Sequence, residues 1–328
     1  MIDTSVSMRP SAKTSSSSSW MSEYLFGASA ASQKDSKTSF ERKFDAYLKK
    51  LQYTQRKKSS SNTKQLRQQD SIDQDLIASA QMPMFTGEVR MGSEREILNV
   101  VYDTGSDWLV VPSSTCSNCL GKTHDNTVSG VQVDEQESER LYGSAALVGT
   151  TWLDTVCLSA SAGSCADNFE YFSFSQQTGI NPPIDGILGM CQNKQMMLSK
   201  EEIVVGPLFH EALYDQFKIP EPTFSFAMKG YDTDVSSNVD FGEPAPYRVK
   251  GYSIDENSSV TFGFNDDFFW STSMQAMAFG DEAYKLDGAP YTIFDTGSSH
   301  LMVPPLLLEP ILQAWVDASG GIADYVVQ

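Results

Sequence analysis

One short pattern occurs twice in the chain, and this repeat limits the possible folds more than any other feature. VVYDTGSDWLVVP spans residues 100–112, and TIFDTGSSHLMVP spans residues 292–304. Each copy is an apolar strand-like run, then Asp-Thr-Gly-Ser, then a second apolar run. A single Asp-Thr-Gly is a common turn sequence. Two copies in matched contexts, with Asp103 and Asp295 192 positions apart, predict equivalent turns from two related halves of the molecule.

Aspartates held in such turns are suited to acid–base chemistry. A carboxylate at the tip of a turn between buried strands is held rigidly, and the neighbouring hydroxyls can donate hydrogen bonds to it. Glycine allows the backbone to turn sharply. Two carboxylates a few ångströms apart cannot both ionise easily, so they share one proton. Asp103 and Asp295 are therefore candidates for one shared acid–base site.

Length and charge exclude several classes of function. The 328 residues, 40% of them hydrophobic, suffice for two lobes. Residues 1–80 hold 13 Lys/Arg and 8 Asp/Glu, a net charge of +5. Residues 81–328 hold 11 Lys/Arg and 34 Asp/Glu, a net charge of −23. So acidic a body repels phosphate backbones, and we expect no nucleic-acid binding. No apolar run is long enough for a transmembrane helix, and the N-terminus lacks the apolar stretch of a secretory signal.

Composition divides the chain into four parts. Residues 1–37 are Ser-rich and predicted to be a disordered leader, and residues 38–78 are basic, with one helix predicted over about 39–55. Either the basic part covers the acidic body or it is a disordered tail. Short β-type runs follow, which we divide into lobes at 79–222 and 223–328. Helices are predicted to interrupt these lobes over about 207–217 and 306–318.

Several motifs together give the sequence a resemblance to the pepsin-like aspartic peptidases, from about Phe85 to the end of the chain. FTGEVRM at 85–91 resembles the first mature strand of that family, and Leu141-Tyr142-Gly143-Ser144 resembles its flap hairpin. IDGILG at 184–189 resembles the strand that closes the loop beneath the first aspartate. The resemblance implies a mainly β, bilobal pepsin-like fold, preceded by a helical or disordered pro-segment.

The resemblance also implies a role for each matching residue. Asp103 and Asp295 would be the catalytic pair, which activates a water molecule without a metal, a cofactor or a covalent intermediate. The residues that would support the pair are Thr104, Gly105, Ser106, Thr296, Gly297 and Ser298. Those of the flap and of an apolar substrate pocket would be Tyr142, Gly143, Ser144, Ile184 and Ile187.

One position departs from the family pattern. In the family a Trp commonly follows the first catalytic Asp by seven positions and hydrogen-bonds to the flap Tyr. Here Val110 occupies that position, and Trp108 comes two residues earlier. We therefore expect the flap to be restrained differently in this chain.

The five cysteines permit two disulfide bonds and leave one thiol over. The resemblance implies a bond between Cys116 and Cys119. Cys157 and Cys165 are expected to face each other across a hairpin, which leaves Cys191 unassigned. A zinc site formed by Cys116, Cys119 and His124 is an alternative, but one Cys-x-x-Cys without a second pair is a weak metal signal.

Two hypotheses for function follow. The first is an aspartic-type endopeptidase made as a zymogen, and the second is a catalytically silent pepsin-like binding protein or an inactive fragment. Gly189 lies 86 positions after Asp103, but only 33 residues follow Asp295, so the sequence predicts an incomplete second lobe and a C-terminally truncated chain.

The resemblance extends to partners and location. It implies polypeptide substrates, a monomer, and a pro-segment that acts as an inhibitor, with Lys57 or Lys58 placed between the two carboxylates at neutral pH. It implies a secretory, vacuolar, lysosomal or extracellular location, and the cysteine content agrees with an oxidising compartment. We expect acid to trigger removal of the first 70 to 80 residues.

Overall fold

The computed structural model describes residues 6–8, 71–78, 84–192, 195–197, 203–228, 237–242, 263, 268–279, 282–286 and 291–318. The helix predicted over about 39–55, and Lys57 and Lys58, lie outside the described residues. The predicted disordered leader also lies outside them, except for residues 6–8, which form a strand.

The described part of the chain is mainly β, as predicted. The strands are β1 (Val6–Met8), β2 (Ser71–Ala78), β3 (Phe85–Met91), β4 (Glu96–Asp103), β5 (Leu109–Pro112), β6 (Val131–Gln132), β7 (Ser138–Leu141), β8 (Ala146–Cys157), β9 (Cys165–Thr178), β10 (Gly186–Gly189), β11 (Gln195–Met197), β12 (Ile203–Val205), β13 (Phe224–Ala227), β14 (Ser237–Gly242), β15 (Ser271–Ser273), β16 (Ala276–Phe279), β17 (Glu282–Lys285) and β18 (Tyr291–Ile293). The helices are α1 (Asn126–Ser129), α2 (Phe209–Asp215) and α3 (Pro305–Ala318), with a 3₁₀ turn at Ala162–Ser164.

Two of these helices lie where the sequence predicted them. Helix α2 falls within the predicted range 207–217, and α3 covers the predicted range 306–318. No helix in the described ranges is long and apolar enough to span a membrane.

Most strands belong to one large sheet, in the order β1-β13-β14-β2-β3-β4-β10-β5-β9-β8-β6, with β7 beside β8. Its longest hairpin is β8–β9, which pairs from Ala146↔Thr178 to Cys157↔Cys165. The strand β5 is buried along its whole length, because β10 and β9 flank it on either side. The sheet thereby buries the loop that follows Asp103.

Strand β2 is a feature that the sequence reading did not predict. It lies at the end of the range 38–78 that was assigned to the basic segment, yet it pairs with β14 along its length and with β3 at its end. Ile72 and Leu76 are buried, whereas Asp73 and Asp75 are exposed. This alternation is the period-2 pattern of a strand with one buried face.

The loop around Asp103 is closed by β10, which runs parallel to β4 and antiparallel to β5. Gly189 pairs with Asp103, and the Met190 N–H donates to the Asp103 carbonyl at 2.7 Å. A Cβ atom at Gly189 would lie 2.6 Å from the backbone nitrogen of Asp107 and from the carbonyl oxygen of Ser106. Only glycine therefore fits where β10 crosses this loop.

Two apolar clusters fill the interior. The larger lies beneath the sheet and contains the edge-to-face rings of Phe224 and Trp270. Trp270 Nε1 donates to the Met190 carbonyl at 2.8 Å, which connects the second half of the chain to the end of β10. The smaller cluster lies near the predicted flap and contains Val101, Trp108 and Ile184. The two clusters thus pack on different sides of the loop that carries Asp103.

Gly189→Ala tests the closing strand. We expect this change to lower the free energy of unfolding by about 3 kcal/mol, because the new methyl group would overlap backbone atoms that cannot move aside. Gly143→Ala is the matched control, since a Cβ there meets no atom within 4 Å, and it should cost less than about 0.5 kcal/mol. Urea denaturation measures both, and equal effects would contradict the close approach.

Candidate active site

The two Asp-Thr-Gly-Ser turns meet and hold each other through their threonines. The Thr104 N–H donates to Thr296 Oγ1 at 3.1 Å, and the Thr296 N–H donates to Thr104 Oγ1 at 3.0 Å. Each hydroxyl also donates across to the other turn, Thr104 Oγ1 to the Phe294 carbonyl at 2.7 Å and Thr296 Oγ1 to the Tyr102 carbonyl. These four bonds are related by an approximate two-fold axis, although Thr104 is fully buried and Thr296 is partly exposed.

Each aspartate is also oriented by its own turn in the same way. Asp103 Oδ1 accepts from the Gly105 N–H at 2.9 Å, and Oδ2 accepts from the Ser106 hydroxyl. In the second turn the residues that donate to Asp295 are Gly297, through its N–H to Oδ1 at 2.8 Å, and Ser298, through its hydroxyl to Oδ2 at 2.7 Å. Both carboxylates are therefore fixed by the residues that the repeat supplies.

The glycines allow the two carboxylates to approach. A Cβ at Gly105 would lie 2.8 Å from the carboxyl carbon of Asp295. A Cβ at Gly297 would lie only 2.3 Å from Asp103 Oδ1. Each carboxylate therefore lies against the backbone of the opposite turn, which brings Asp103 and Asp295 together at the axis.

This proximity changes the acidity of the pair. Burial and then the negative charge of Asp295 raise the pKa of Asp103, and the hydrogen bonds from Ser106 and Gly105 lower it, with a net value of about 7. Asp103 is 8% exposed, so little water reaches it to stabilise a second negative charge. Asp103 thus retains a proton at pH values where an exposed aspartate has lost it.

The predicted flap residues lie at the tip of the β7–β8 hairpin. The Tyr142 N–H donates to the Ala145 carbonyl at 2.7 Å, which closes the turn, and Gly143 and Ser144 are exposed. The Tyr142 hydroxyl is buried and has no hydrogen-bond partner among the described residues. Tyr142 and Ile187 pack against the smaller apolar cluster, of which Ile184 is a member. The structure therefore brings Tyr142, Ile184 and Ile187 to one apolar cluster.

Two charged residues of this region were missed by the sequence reading. Asp107 directly follows the first Asp-Thr-Gly-Ser and is completely buried. Arg140 precedes Tyr142 by two residues, is 1% exposed, and lies over the ring of Trp108. The sequence did offer a signal for Asp107, because the first copy of the repeat has Asp107 where the second copy has Ser299. The burial of Arg140 had no such signal.

The structure pairs the cysteines and argues against the zinc alternative. Disulfide bonds join Cys116 to Cys119 and Cys157 to Cys165, and Cys191 is buried and belongs to neither bond. With its two thiols bonded to each other, the Cys-x-x-Cys has no thiolate to offer a metal.

The histidine of that alternative has carboxylate partners. His124 Nδ1 contacts Glu96 Oε2, and Nε2 lies 3.5 Å from Asp154 Oδ2. Burial lowers the pKa of His124, but hydrogen bonds to Asp154 and Glu96 outweigh that effect and raise it overall. His124 therefore lies buried between two carboxylates that favour its protonated form.

Comparison with known proteins shows the family of this chain. The family model for eukaryotic aspartyl proteases matches residues 84–328, and the chain belongs to that family. Pepsin A of Sus scrofa is 25% identical over 228 residues, which cover 67% of this chain and 55% of the pepsin. Pepsin II-1 of Oryctolagus cuniculus is 25% identical over 73% of this chain and 59% of its own length. Vacuolar protease A of Neurospora crassa is 27% identical over 71% of this chain and 56% of its own length. The chain spans less than two thirds of the length of these relatives.

Thr104→Val tests the bracing of the two turns. We expect a loss of about 2–4 kcal/mol in the free energy of unfolding, because the Thr296 N–H and the Phe294 carbonyl would lose their buried partner. Thr127→Val is the matched control, because its hydroxyl bonds the exposed Asp125 side chain, and it should cost less than about 1 kcal/mol. Similar urea midpoints for the two variants would contradict the role of Thr104.

Proposed function

We propose that this protein is an aspartic-type endopeptidase that hydrolyses peptide bonds with a water molecule activated by Asp103 and Asp295. The observation that carries the proposal is the two-fold contact of the two turns, which holds two carboxylates together and orients both. Such a pair can hold one ionised and one protonated oxygen at the same time, which is the requirement for general base and general acid catalysis.

The reaction then proceeds through a sequence of proton transfers. The ionised carboxylate takes a proton from the water, and the oxygen of that water attacks the carbonyl carbon of the peptide bond. The protonated carboxyl group donates a hydrogen bond to the carbonyl oxygen as that oxygen becomes negative. Transfer of a proton to the amide nitrogen releases the amine product, so no covalent bond to the enzyme is formed.

Before substrate binds, the proton that the two carboxylates share is assigned to Asp103. Burial and the neighbouring charge of Asp295 raise the pKa of Asp103 to about 7, so the carboxyl group is protonated across the acidic range. Asp295 then supplies the ionised oxygen that acts as the base. The Gly105 and Gly297 backbones contact the opposite carboxylates, and they would offer backbone groups to the bound peptide.

The hairpin that carries Tyr142 serves as the cover of this site. Its exposed tip at Gly143 and Ser144 can close over a bound polypeptide, and closure excludes water from the developing charges. Ile184 and Ile187 belong to or pack against the same apolar cluster as Tyr142, and they would form an apolar wall of the cleft. The proposed substrates are therefore polypeptides with an apolar side chain beside the cleaved bond.

The basic segment before the body is proposed to be an inhibitory pro-segment. Its charge opposes the −23 of residues 81–328, and Lys57 or Lys58 would bridge the two carboxylates until acid protonates them. Because β2 lies between β14 and β3, its removal would leave two strand edges unpaired. We therefore place the activating cleavage before Ser71. The two disulfide bonds and the vacuolar relatives support a secreted or vacuolar location.

Cleavage of an unfolded protein substrate across pH 3 to 8 tests the proposed function. The chain should be active at acidic pH and lose activity as the pH rises through about 7, where Asp103 ionises. Asp103→Asn should lower the rate by roughly a thousandfold or more, and pepstatin should inhibit the unmutated protein. Asp167→Asn changes an exposed carboxylate and is the control.

Each outcome of this assay separates the hypotheses. Activity that survives in Asp103→Asn would contradict the two-carboxylate mechanism. A folded protein that cleaves nothing at any pH would instead favour a catalytically silent pepsin-like protein or an inactive fragment.

A further inference from the structure

A cluster of charged side chains outside the proposed acid–base site has one buried histidine at its centre. The Nδ1 atom of His124 contacts Glu96 Oε2, and its Nε2 atom lies 3.5 Å from Asp154 Oδ2. Glu96 is the first residue of β4, and Asp154 belongs to β8. The imidazole ring therefore bridges two strands of the sheet through both of its nitrogens.

The two ring nitrogens determine which protonation state fits this position. An ionised carboxylate only accepts hydrogen bonds, whereas neutral imidazole has one N–H donor and one acceptor nitrogen. In neutral His124 a nitrogen lone pair would therefore face one of the two carboxylates. Both nitrogens of the protonated ring carry a hydrogen. Only the protonated form of His124 can thus satisfy Glu96 and Asp154 at the same time.

His124 is the cation that stabilises these two carboxylates. The side chain of Asp154 is 4% exposed and that of Glu96 is 36% exposed, so water does least for the charge of Asp154. In the described part of the chain no lysine or arginine forms an ion pair with either carboxylate. Arg95 precedes Glu96 but contacts the sulfur atoms of the Cys157–Cys165 bond instead.

Two further titratable groups face the ring or adjoin it, and neither changes charge with it. The ring centre of Tyr171, on β9, lies 5.9 Å from that of His124, and burial raises the pKa of its hydroxyl far above neutral pH. Asp125 follows His124, and the hydrogen bonds that it accepts from Thr127 lower its pKa. Tyr171 therefore stays neutral and Asp125 stays ionised while His124 gains or loses its proton.

Hydrogen bonds extend the cluster into three pieces of the chain. The Asp125 N–H donates to Glu96 Oε2 at 3.2 Å. The Ser129 hydroxyl, in α1, donates to Asp154 Oδ2 at 2.8 Å and accepts from the Ser93 N–H at 3.0 Å. The turn before β4, the helix α1 and the strand β8 are therefore joined around His124.

The same histidine is attached to both strands that flank the Asp103 loop. Glu96 begins β4, and Asp103 ends it. The His124 N–H donates to the carbonyl of Pro112, the last residue of β5, at 2.8 Å. Both strands also pair with β10. The cluster thus holds the ends of β4 and β5 that lie away from the loop between them.

We propose that His124, Glu96 and Asp154 form a pH-sensitive clamp, which holds β4, α1 and β8 together while His124 is protonated and loosens when the proton leaves. Burial lowers the pKa of His124, but Asp154 and Glu96 raise it by more, so it lies above the ordinary value of 6.5. The stabilisation is complete below 6.5, the value in the unfolded chain, and is lost as the pH rises through the folded value. The clamp takes no part in catalysis.

Thermal unfolding of the full chain at pH 5 and pH 9 tests the clamp. All proteins carry Asp103→Asn, which removes the titration of Asp103 and any self-cleavage. His124→Gln should lower the Tm by about 6 °C at pH 5, because the buried Asp154 carboxylate loses its cation. At pH 9 the difference should be below about 2 °C, because the histidine is then neutral. Asp107 and Glu170 also titrate in this range, but they are present in both proteins and cancel in the difference.

Two further variants separate the clamp from other charges. His300→Gln removes an exposed histidine and should change the Tm by less than about 1 °C at either pH. In an Asp154→Asn background, His124→Gln should have a much smaller effect at pH 5, because the two side chains are coupled. A Tm loss in His124→Gln that is equal at both pH values, or that Asp154→Asn leaves unchanged, would overturn the clamp. If His124→Gln does not fold, Asp154→Asn gives the same pH comparison.

Amide hydrogen exchange, followed by NMR and corrected for the intrinsic rate at each pH, tests the loosening. The amides of Ser93 and Asp125, which donate into the cluster, should lose about tenfold in protection between pH 5 and pH 9. In His124→Gln their protection should be low at both pH values, whereas that of Gly186–Gly189 should not change in either protein.

Protection of Ser93 and Asp125 that stays constant with pH, or that falls together with that of Gly186–Gly189, would overturn the local loosening. Both measurements are made without catalysis. A working clamp in a protein that cleaves nothing would refute only the proposed function, and a pH-independent cluster in an active protease would refute only the clamp.

Discussion

The reciprocal hydrogen bonds between Thr104 and Thr296 are the interaction on which the site depends. Each threonine satisfies a backbone amide of the other turn, and each hydroxyl also satisfies a backbone carbonyl across the axis. Because these groups lie in a region with little water, losing one partner would leave another unsatisfied. The carboxylates then have no freedom to separate, although their charges repel. Burial and the neighbouring charge of Asp295 raise the pKa of Asp103, and this constraint keeps Asp295 beside it.

The strand network explains why the constraint can hold. Asp103 ends β4, and β10 crosses beneath it, so its backbone is fixed by pairing as well as by the threonines. Gly189 allows that crossing, and Trp270 connects it to the second half of the chain. The rigid first turn can therefore position the second, which is held by fewer strands in the described part of the chain.

Most of the site could be predicted from the sequence because the repeat encodes it locally. The residues that orient Asp103 and Asp295 lie within three positions of each aspartate, so the motif specifies them directly. Strand β2 was not predicted because its residues were assigned to the basic segment that precedes it. They nevertheless alternate, with Ile72 and Leu76 buried and Asp73 and Asp75 exposed. That pattern could have been found.

The burial of Arg140 could not have been found in this way. Local pattern places Leu141 inside and Arg140 outside, and the structure has the reverse. The reason is tertiary, because Trp108 from the loop after β4 and Phe172 from β9 flank the guanidinium. No single segment contains this information.

The separation of the two turns along the chain has a consequence for biosynthesis. The bonds that brace the site join residues 190 to 194 positions apart, so they close one of the longest loops in the protein. At a synthesis rate of about 5–20 residues per second, the second turn leaves the ribosome roughly 10 to 40 s after the first. During that interval the first turn lacks the hydrogen-bond partners that the second turn supplies. Assembly of the acid–base pair is therefore a late event in folding. Until the second turn has been synthesised, the nascent chain contains Asp103 without Asp295.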